Sequence, residues 1–248
     1  MKKTVSIIQA RMGSTRLHGK VLLNICGKTV LEHVIDRVKQ AGFIDEVVIA
    51  IADSPGNEVL AELAEACGVK YFRGSEEDVL SRYYYAAREN KADTIVRITS
   101  DCPLIDPKVA DEIIFFYRKN RYDMVSNAGP GKGDRTYPRG LDTEVFSFDA
   151  LENAFFNASK SYQREHVTPF IYETSNRVFY YKDKEDHSDL RWTLDTPEDF
   201  ELIERIYRHL YKGRHDFFYK DILNLLNKFP ALREINSQVR QKKLQDRK

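Results

Sequence analysis

The first half of the chain alternates short apolar runs with amphipathic stretches. Residues 5–9 and the almost continuously apolar Glu46–Ala52 are typical of strands covered on both faces. Residues 29–40 repeat apolar side chains at helical spacing. The same alternation continues with helices at 58–67, 78–89 and 108–119, and with strands at 69–72 and 94–99. This order predicts an α/β fold in which a parallel sheet lies between layers of helices.

Beyond residue 127 the pattern becomes irregular. Residues 128–140 are rich in glycine, proline and charge, and they precede a predicted strand at 141–148. Helical pieces are predicted over 152–172, with a break or start at Pro169, and amphipathic helices over 197–211 and 217–229. We interpret residues 1–230 as one domain and 231–248 as a basic tail.

Composition limits the function without choosing it. A chain of 248 residues with 42% hydrophobic and 31% charged residues is typical of a soluble globular protein. The formal net charge of +1 provides no overall attraction for nucleic acid or an anionic membrane, and neither is expected as a partner. Three cysteines without a CxxC pair argue against a disulfide framework and favour the cytoplasm. No apolar run reaches the roughly 20 residues of a membrane helix.

Candidate chemistry begins directly after the first strand. The segment ARMGSTRLHGK, residues 10–20, contains Arg11, Arg16 and Lys20 together with Gly13 and Ser14. Glycine lets the backbone approach a ligand, arginine offers a planar fork, and lysine offers a point charge. The combination fits a triphosphate, although a plain basic loop at a strand end is an alternative. It is not a Walker loop, because no Gly-Lys-Ser/Thr follows at the required spacing.

Two acids, Asp101 and Asp195, have no predicted role in capping a helix. Asp101, in the segment TSDCP, follows a predicted strand, at the sheet edge where α/β proteins bind ligands. A lone Asp there could cap the next helix, but Asp106 before Pro107 serves that purpose. In DTPED, Thr196 caps a helix and leaves Asp195 without a local role.

Several segments resemble one family. QARMGSTRLHGKVLL, from Gln9 to Leu23, resembles the opening signature of the cytidylyltransferases that make CMP-sugars. These include the CMP-ketodeoxyoctonate and CMP-acylneuraminate synthetases, and the likeness is greatest to the SpsF-type branch linked to spore-coat polysaccharide synthesis. SDCP, PRGLDTEVF, REHVTPFIY and DTPED resemble further family segments, so the likeness extends from Val5 to about Phe200. His18 replaces the usual proline, and Ser100 a glycine.

The resemblance implies a three-layer α/β/α, nucleotide-diphospho-sugar transferase-like (Rossmann-like) fold with a mostly parallel sheet. It implies an enzyme that forms a CMP-activated sugar or sugar acid from CTP, with release of pyrophosphate, in surface polysaccharide synthesis. Magnesium is the implied cofactor. Family members are often homodimers, which places a region for substrate and subunit contact at about 127–181.

The resemblance also assigns roles to individual residues. Catalytic roles fall to Arg11, Arg16, Lys20 and Asp101, and the metal ligands are Asp101 and Asp195. Nucleotide contacts are expected at Ala10, Arg11, Gly13, Ser14, Arg16, Lys20, Arg73, Thr99 and Asp101. The expected acceptor residues are Arg139, Asp142, Glu144, Arg164 and His166.

The residue patterns themselves suggest ligand-binding or structural roles for some of these side chains. Asp142 and Glu144 alternate along a predicted strand and could face one pocket. Arg139 or Arg164 could clamp an acidic group, whereas His166 is equally well explained as a packed histidine. Ser75 is predicted as a helix N-cap. Asp78 is expected to pair with Arg82 at helical spacing.

Two other functions stay open. A nucleotide-sugar-dependent glycosyltransferase would share the fold, but such enzymes commonly have a D-x-D metal motif, and SDCP offers one acid. A nucleotide-binding protein without catalysis would not require the pair Asp101 and Asp195.

Overall fold

A seven-stranded sheet forms the centre of the molecule. The computed structural model describes residues 2–14, 16–131 and 133–241. The strands, including a separate hairpin of β2 and β3, are β1 Thr4–Ala10, β2 Asn24–Ile25, β3 Lys28–Thr29, β4 Glu46–Ala52, β5 Lys70–Gly74, β6 Thr94–Thr99, β7 Met124–Ser126, β8 Glu144–Ser147 and β9 Val178–Tyr180. In the large sheet the order is β5-β4-β1-β6-β8-β7-β9.

Helices connect most of these strands. They are α1 Val30–Val38, α2 Glu58–Ala66, α3 Val79–Glu89, α4 Pro107–Lys119, α5 Phe148–Asn157, α6 Ser161–His166, α7 Pro169–Thr174, α8 Pro197–Leu210, α9 Tyr219–Lys228 and α10 Ala231–Glu234. A short 3₁₀ helix, Lys20–Leu22, precedes the hairpin. None of the described helices is long and apolar enough to cross a membrane.

The sheet is mostly parallel, which confirms the predicted fold class. β5, β4, β1 and β6 run in one direction, and β8 pairs antiparallel with both β6 and β7. The predicted strand at 141–148 is too long, because only Glu144–Ser147 forms β8. Its last residue, Ser147, accepts a hydrogen bond from Ala150 N and caps α5, so the chain turns into a helix at Phe148.

Two apolar layers cover the sheet. Along β1, Ile8 and Ala10 join the core beneath α1, α2, α4, α8 and α9, while Val5 and Ile7 join the core beneath α3, α5 and α7. This period-two division follows from the alternation of side chains along a strand. The three-layer arrangement leaves the strand ends at its edges.

Side-chain caps begin α4 and α8 as the sequence predicts. Asp106 accepts hydrogen bonds from Lys108 N and Val109 N, and Thr196 forms a capping box with Asp199. The prediction for α3 is wrong, because Asp78, not Ser75, is the N-cap and accepts from Ser81 N. Ser75 Oγ accepts from Asp78 N one turn earlier.

The segment after residue 230 continues to pack against the domain. Leu232 is buried in the core, and buried Asn236 donates hydrogen bonds to Arg191 O and to the Asp199 side chain. The last part of the predicted basic tail, 242–248, lies outside the described residues.

Candidate functional site

The carboxyl ends of β1 and β6 meet at one edge of the sheet. Ser100 N donates to Gln9 O at 3.2 Å, which aligns the two loops that follow these strands. Leu194 N donates to Asp101 O at 2.8 Å, so the segment before α8 is attached to the loop after β6. Asp101 and Asp195, far apart in sequence, therefore lie side by side.

Lys20 occupies the space between these two acids. Its Nζ lies 2.7 Å from Asp101 Oδ2 and 2.8 Å from Asp195 Oδ1, and it also donates to Leu194 O at 2.8 Å. Thr99 Oγ1 donates to the other oxygen of Asp101 at 2.5 Å. Asp101 thus accepts from the Thr99 hydroxyl with one oxygen and contacts the Lys20 ammonium with the other.

Asp195 is held by three cations. Besides Lys20, Arg16 NH2 lies 2.8 Å from Asp195 Oδ2, and Arg191 NH2 lies 2.7 Å from the same oxygen. The side chains of Lys20, Asp195 and Arg191 are largely excluded from solvent. Screening by water is therefore weak, and the charges at this edge depend strongly on one another.

The cations keep both acids ionised. Burial would raise the pKa of Asp101, but the Lys20 ammonium outweighs burial and lowers it below its ordinary value. Burial likewise opposes ionisation of Asp195, yet Lys20, Arg16 and Arg191 lower its pKa to about 2. The pKa of Lys20 is raised, because the two carboxylates outweigh its burial. The two acids remain charged together only because positive charge lies between and beside them.

The loop that carries Lys20 is shaped by its backbone. Gly19 has a φ of 63°, a left-handed conformation that favours glycine, and the 3₁₀ helix with Lys20 begins immediately after it. Met12 O accepts hydrogen bonds from both Ser14 N and Gly19 N. Asn57 Oδ1 accepts from Met12 N at 2.8 Å and fixes the start of the loop.

The donor set fits a hard divalent cation. Lys20 Nζ already stands as a positive charge between oxygens of two carboxylates, which is the place a metal between them would take. Among the described residues no group of three or more His, Cys, Asp or Glu side chains could hold a metal by itself. Mg²⁺ suits such a site, since it takes one or two carboxylates and completes its shell with phosphate oxygens and water.

Other predicted nucleotide residues lie outside this central cluster. The Arg11 side chain is 46% exposed, with NH1 3.5 Å from Glu76 Oε1. Arg73 is bonded elsewhere, because its NH2 lies 3.0 Å from Asp53 and 3.5 Å from Glu58. Ala10 is buried at the end of β1.

Comparison with known proteins decides the family. The family model for cytidylyltransferases matches residues 5–226, which include the basic loop and both acids. The chain belongs to the cytidylyltransferase family. The spore coat polysaccharide biosynthesis protein SpsF of Bacillus subtilis is 33% identical over 240 residues, covering 93% of this chain and 96% of that protein. An uncharacterized protein of Methanocaldococcus jannaschii is 41% identical, covering 97% of each chain.

Solved structures agree with this assignment. A cytidylyltransferase from Leptospira borgpetersenii superposes with a TM-score of 0.87 at 32% identity, over 98% of this chain and 99% of that one. A CMP:2-keto-3-deoxy-manno-octonic acid synthetase complexed with CTP shares the fold, with a TM-score of 0.64 at 22% identity, over 84% of this chain and 99% of that one. The protein is a nucleotidyltransferase with an SpsF-like sequence.

Gly140 allows the Arg139 backbone of this cytidylyltransferase to pair with the segment that contains Arg191. Gly140 has a φ of 103°, and a Cβ added there would lie 2.5 Å from the Trp192 carbonyl carbon. This close approach allows Arg139 N to donate to Leu190 O and Trp192 N to donate to Arg139 O. Segment 138–140 is therefore joined by its backbone to segment 190–192, which ends three positions before Asp195 in the chain.

The Arg139 guanidinium has no carboxylate bound to it among the described residues. It is half-buried, and its pKa is lowered by that burial and by the positive charges of Arg135 and Arg191, with only Asp142 opposing them. Such a group favours an incoming anion, because the anion would relieve both repulsion and desolvation.

Other predicted acceptor residues are committed to internal partners. Asp142 precedes β8 and takes two hydrogen bonds from Arg135, at 2.5 and 3.1 Å. Glu144 binds Arg97 and accepts from Thr168 Oγ1 at 2.9 Å. Asp142 lies before β8 and Glu144 begins it, so the prediction that both acids alternate along one strand is wrong.

Arg164 is bound to internal partners. Its Nε and NH2 lie 3.0 and 2.7 Å from Asp78 Oδ2, and its NH1 donates to two backbone carbonyls. The ion-pair partner of Asp78 is therefore Arg164, 86 residues away in the sequence, and not the predicted Arg82. His166 ends α6 and is half-buried.

Two supporting residues escaped the sequence analysis. Arg191 and Asp199 form a buried ion pair beside Asp195, with Nε 2.9 Å from Oδ1. The spacing of Arg191, Asp195 and Asp199 at intervals of four in RWTLDTPED was a usable signal. Because Asp199 also fits the first turn of a helix capped by Thr196, the sequence gives it a local role that conceals its pairing with Arg191.

A separate cleft of about 1030 Å³ lies at the opposite edge of the sheet. Its lining includes Lys3, Thr94 and Asp123, at or before the starts of β1, β6 and β7. We place the functional site at the other edge, because the convergent charges lie there and because ligands bind at the carboxyl ends of strands in open α/β sheets.

Proposed function

We propose that this cytidylyltransferase transfers CMP from CTP to a hydroxyl of a sugar or sugar acid and thereby supplies a CMP-activated unit for a surface polysaccharide. The observation that supports this most is the arrangement of Lys20 between Asp101 and Asp195, with Arg16 at the same carboxylate. Cations and acids in contact at a strand end suit a triphosphate together with its metal.

The chemistry requires positioning and charge neutralisation. The acceptor oxygen forms a bond to the α-phosphorus, the bond from that phosphorus to the bridging oxygen breaks, and pyrophosphate leaves with the electron pair. Lys20 and Arg16 would turn from the carboxylates to the phosphates and stabilise the charge that develops on the leaving group. Arg11, which is exposed at the same loop, would close over the triphosphate.

We propose that Asp101 and Asp195 hold Mg²⁺ once Lys20 has moved to the phosphates. The metal would neutralise phosphate charge and lower the pKa of a bound hydroxyl. Thr99 keeps Asp101 oriented through its 2.5 Å hydrogen bond, so one oxygen of that acid stays directed toward the site.

The direct test is an assay of pyrophosphate release. The purified protein would be given CTP, Mg²⁺ and a panel of neutral and acidic sugars, and UDP-sugars would be offered in parallel. We expect CTP consumption with stoichiometric pyrophosphate and a CMP-linked product. Turnover of UDP-sugars in place of CTP would identify a glycosyltransferase, and CTP binding without product across the panel would identify a regulator. Either result would refute the proposal.

Arg139 is expected to select an acidic acceptor. Replacing Arg139 with methionine removes the guanidinium that lacks a bound carboxylate, and a charge-assisted hydrogen bond contributes about 1.5–3 kcal/mol. KM for an acidic acceptor should rise about 10–100-fold, while KM for CTP changes little. Arg164→Met serves as a comparison: it should lower thermal stability through Asp78 without this acceptor-specific change. An unaltered acceptor KM in Arg139→Met would contradict the assignment.

We also propose a homodimer that uses residues of about 127–181. α5 and α6 lie in this range, and α5 exposes Phe156, which is 68% accessible. Solution scattering at several concentrations would give twice the monomer mass; a monomer would reject this part. A cytoplasmic location belongs to the same proposal, and the three free cysteines are compatible with it.

A further inference from the structure

Arg191 is buried between two carboxylates. Its NH2 lies 2.7 Å from Asp195 Oδ2 and 3.1 Å from Asp199 Oδ2, and its Nε lies 2.9 Å from Asp199 Oδ1. Its NH1 donates to Gln241 Oε1. With only 6% of the residue exposed, the guanidinium is enclosed by the protein.

Asp199 holds this arginine from the far side. It is fully buried and accepts hydrogen bonds from the backbone nitrogens of Asp195 and Thr196, at 3.0 and 3.1 Å. Asn236 Nδ2 donates to Asp199 Oδ1 at 2.8 Å and to Arg191 O at 2.9 Å. These donors occupy both oxygens of Asp199, so this carboxylate both completes the helix cap and holds Arg191.

The two oxygens of Asp195 are thereby divided. Oδ2 receives Arg191 and Arg16, while Oδ1 faces Lys20 at the centre of the site. If Lys20 and Arg16 move to the phosphates of a nucleotide, Arg191 would be the cation among the described residues that remains on Asp195. It would prevent rotation of the carboxylate and offset its repulsion from Asp101.

We infer that Arg191, supported by Asp199 and Asn236, is a positioning residue that keeps one oxygen of Asp195 directed at the metal-nucleotide site. This inference rests on the proposed function, because it gives Asp195 the metal. Groups that orient metal-binding carboxylates commonly change metal affinity or activity by about 10–100-fold when they are altered. A residue that merely stabilised the fold would lower the unfolding temperature without changing metal affinity.

The test compares Mn²⁺ binding in four proteins. Electron paramagnetic resonance would measure free Mn²⁺ in the presence of a non-hydrolysable CTP analogue, for wild type, Arg191→Lys, Asn236→Ala and Arg208→Gln. Arg208 is the matched control, since it is an exposed arginine of α8 that pairs with Glu204 at 2.9 Å. Calorimetry would record the thermal midpoint of each protein.

For Arg191→Lys we expect Mn²⁺ affinity to fall about 10–100-fold, with affinity for the analogue without metal changed by less than about threefold. Excess Mg²⁺ should restore part of kcat. Asn236→Ala leaves the guanidinium in place, so its Mn²⁺ affinity should fall by a smaller factor. This variant provides the test if Arg191→Lys does not fold. Wild-type Mn²⁺ affinity in the folded variants would overturn the inference. Failure of wild type to bind Mn²⁺ with the analogue would instead overturn the proposed function, and the inference with it.

Discussion

Replacing Asp101 with asparagine is expected to slow pyrophosphate release from CTP by about 10²–10³-fold. The substitution keeps the size of the side chain and can keep the hydrogen bond from Thr99, but it removes the negative charge that Lys20 contacts at 2.7 Å. Without that charge the site loses one of its two proposed metal ligands. The measurement is initial rate against CTP and Mg²⁺ concentration, with an acceptor identified by the assay described above.

A matched control separates this effect from a general loss of charge. Asp186 is an exposed aspartate whose carboxylate accepts from Ser188 N at 2.9 Å, and Asp186→Asn should turn over CTP at the wild-type rate. Higher Mg²⁺ should recover little of the rate in Asp101→Asn, because an amide oxygen is a weaker ligand for a hard cation than a carboxylate. Undiminished turnover in Asp101→Asn would remove Asp101 from the metal site.

Local signals account for what the sequence predicted well. Thr94–Thr99 is a strand with the predicted bounds, and Asp106 and Thr196 cap the predicted helices. Each depends on a few neighbouring residues, such as an apolar run or a side-chain oxygen near the first helical N–H groups. Because Asp106 and Thr196 account for these two caps, Asp101 and Asp195 stand out in the sequence as acids without a local role.

Long-range pairing explains what the sequence did not predict. Arg164 could equally serve a ligand or a buried acid, and only the packing of α6 near α3 decides that it binds Asp78. Asp142 is bound by Arg135 in the irregular segment before β8, where no periodicity indicates a partner. The antiparallel placement of β8 between β6 and β7 likewise depends on the return path of the chain. Such choices are made by tertiary contacts and not by propensity.

The contact between Lys20 and both acids predicts opposite effects on two measurements. In Lys20→Met, CTP turnover should fall by about 10²–10³-fold, because the developing phosphate charge loses a preorganised cation. Methionine keeps much of the length and apolar stem of lysine without its charge. Lys28→Met is the matched control. Lys28, in β3 of the hairpin, pairs with Asp36 of α1 at 2.5 Å and has no contact with Asp101 or Asp195.

In the same Lys20→Met variant, the affinity for Mn²⁺ in the absence of nucleotide should rise. In wild type the Lys20 ammonium already neutralises Asp101 and Asp195, so a free cation would have to displace it from hydrogen bonds of 2.7 and 2.8 Å. Removing the ammonium leaves two neighbouring carboxylates that repel each other, and a unit charge at this range is worth on the order of 4 kcal/mol near a protein surface. We expect free Mn²⁺ to bind Lys20→Met at least about tenfold more tightly than wild type.

CTP turnover and Mn²⁺ affinity of Lys20→Met, taken together, distinguish a lysine that occupies the cation site from one that only binds phosphate. If Lys20 served the phosphates alone, its loss would reduce turnover and leave free Mn²⁺ affinity unchanged. If it served only to stabilise the fold, both measurements would fall together with the unfolding temperature. Lower turnover with tighter Mn²⁺ binding follows only when the same ammonium alternates between the two acids and the nucleotide. On this proposal metal binding in wild type would depend on CTP, because Asp101 and Asp195 would become available to a metal only when the phosphates draw Lys20 away.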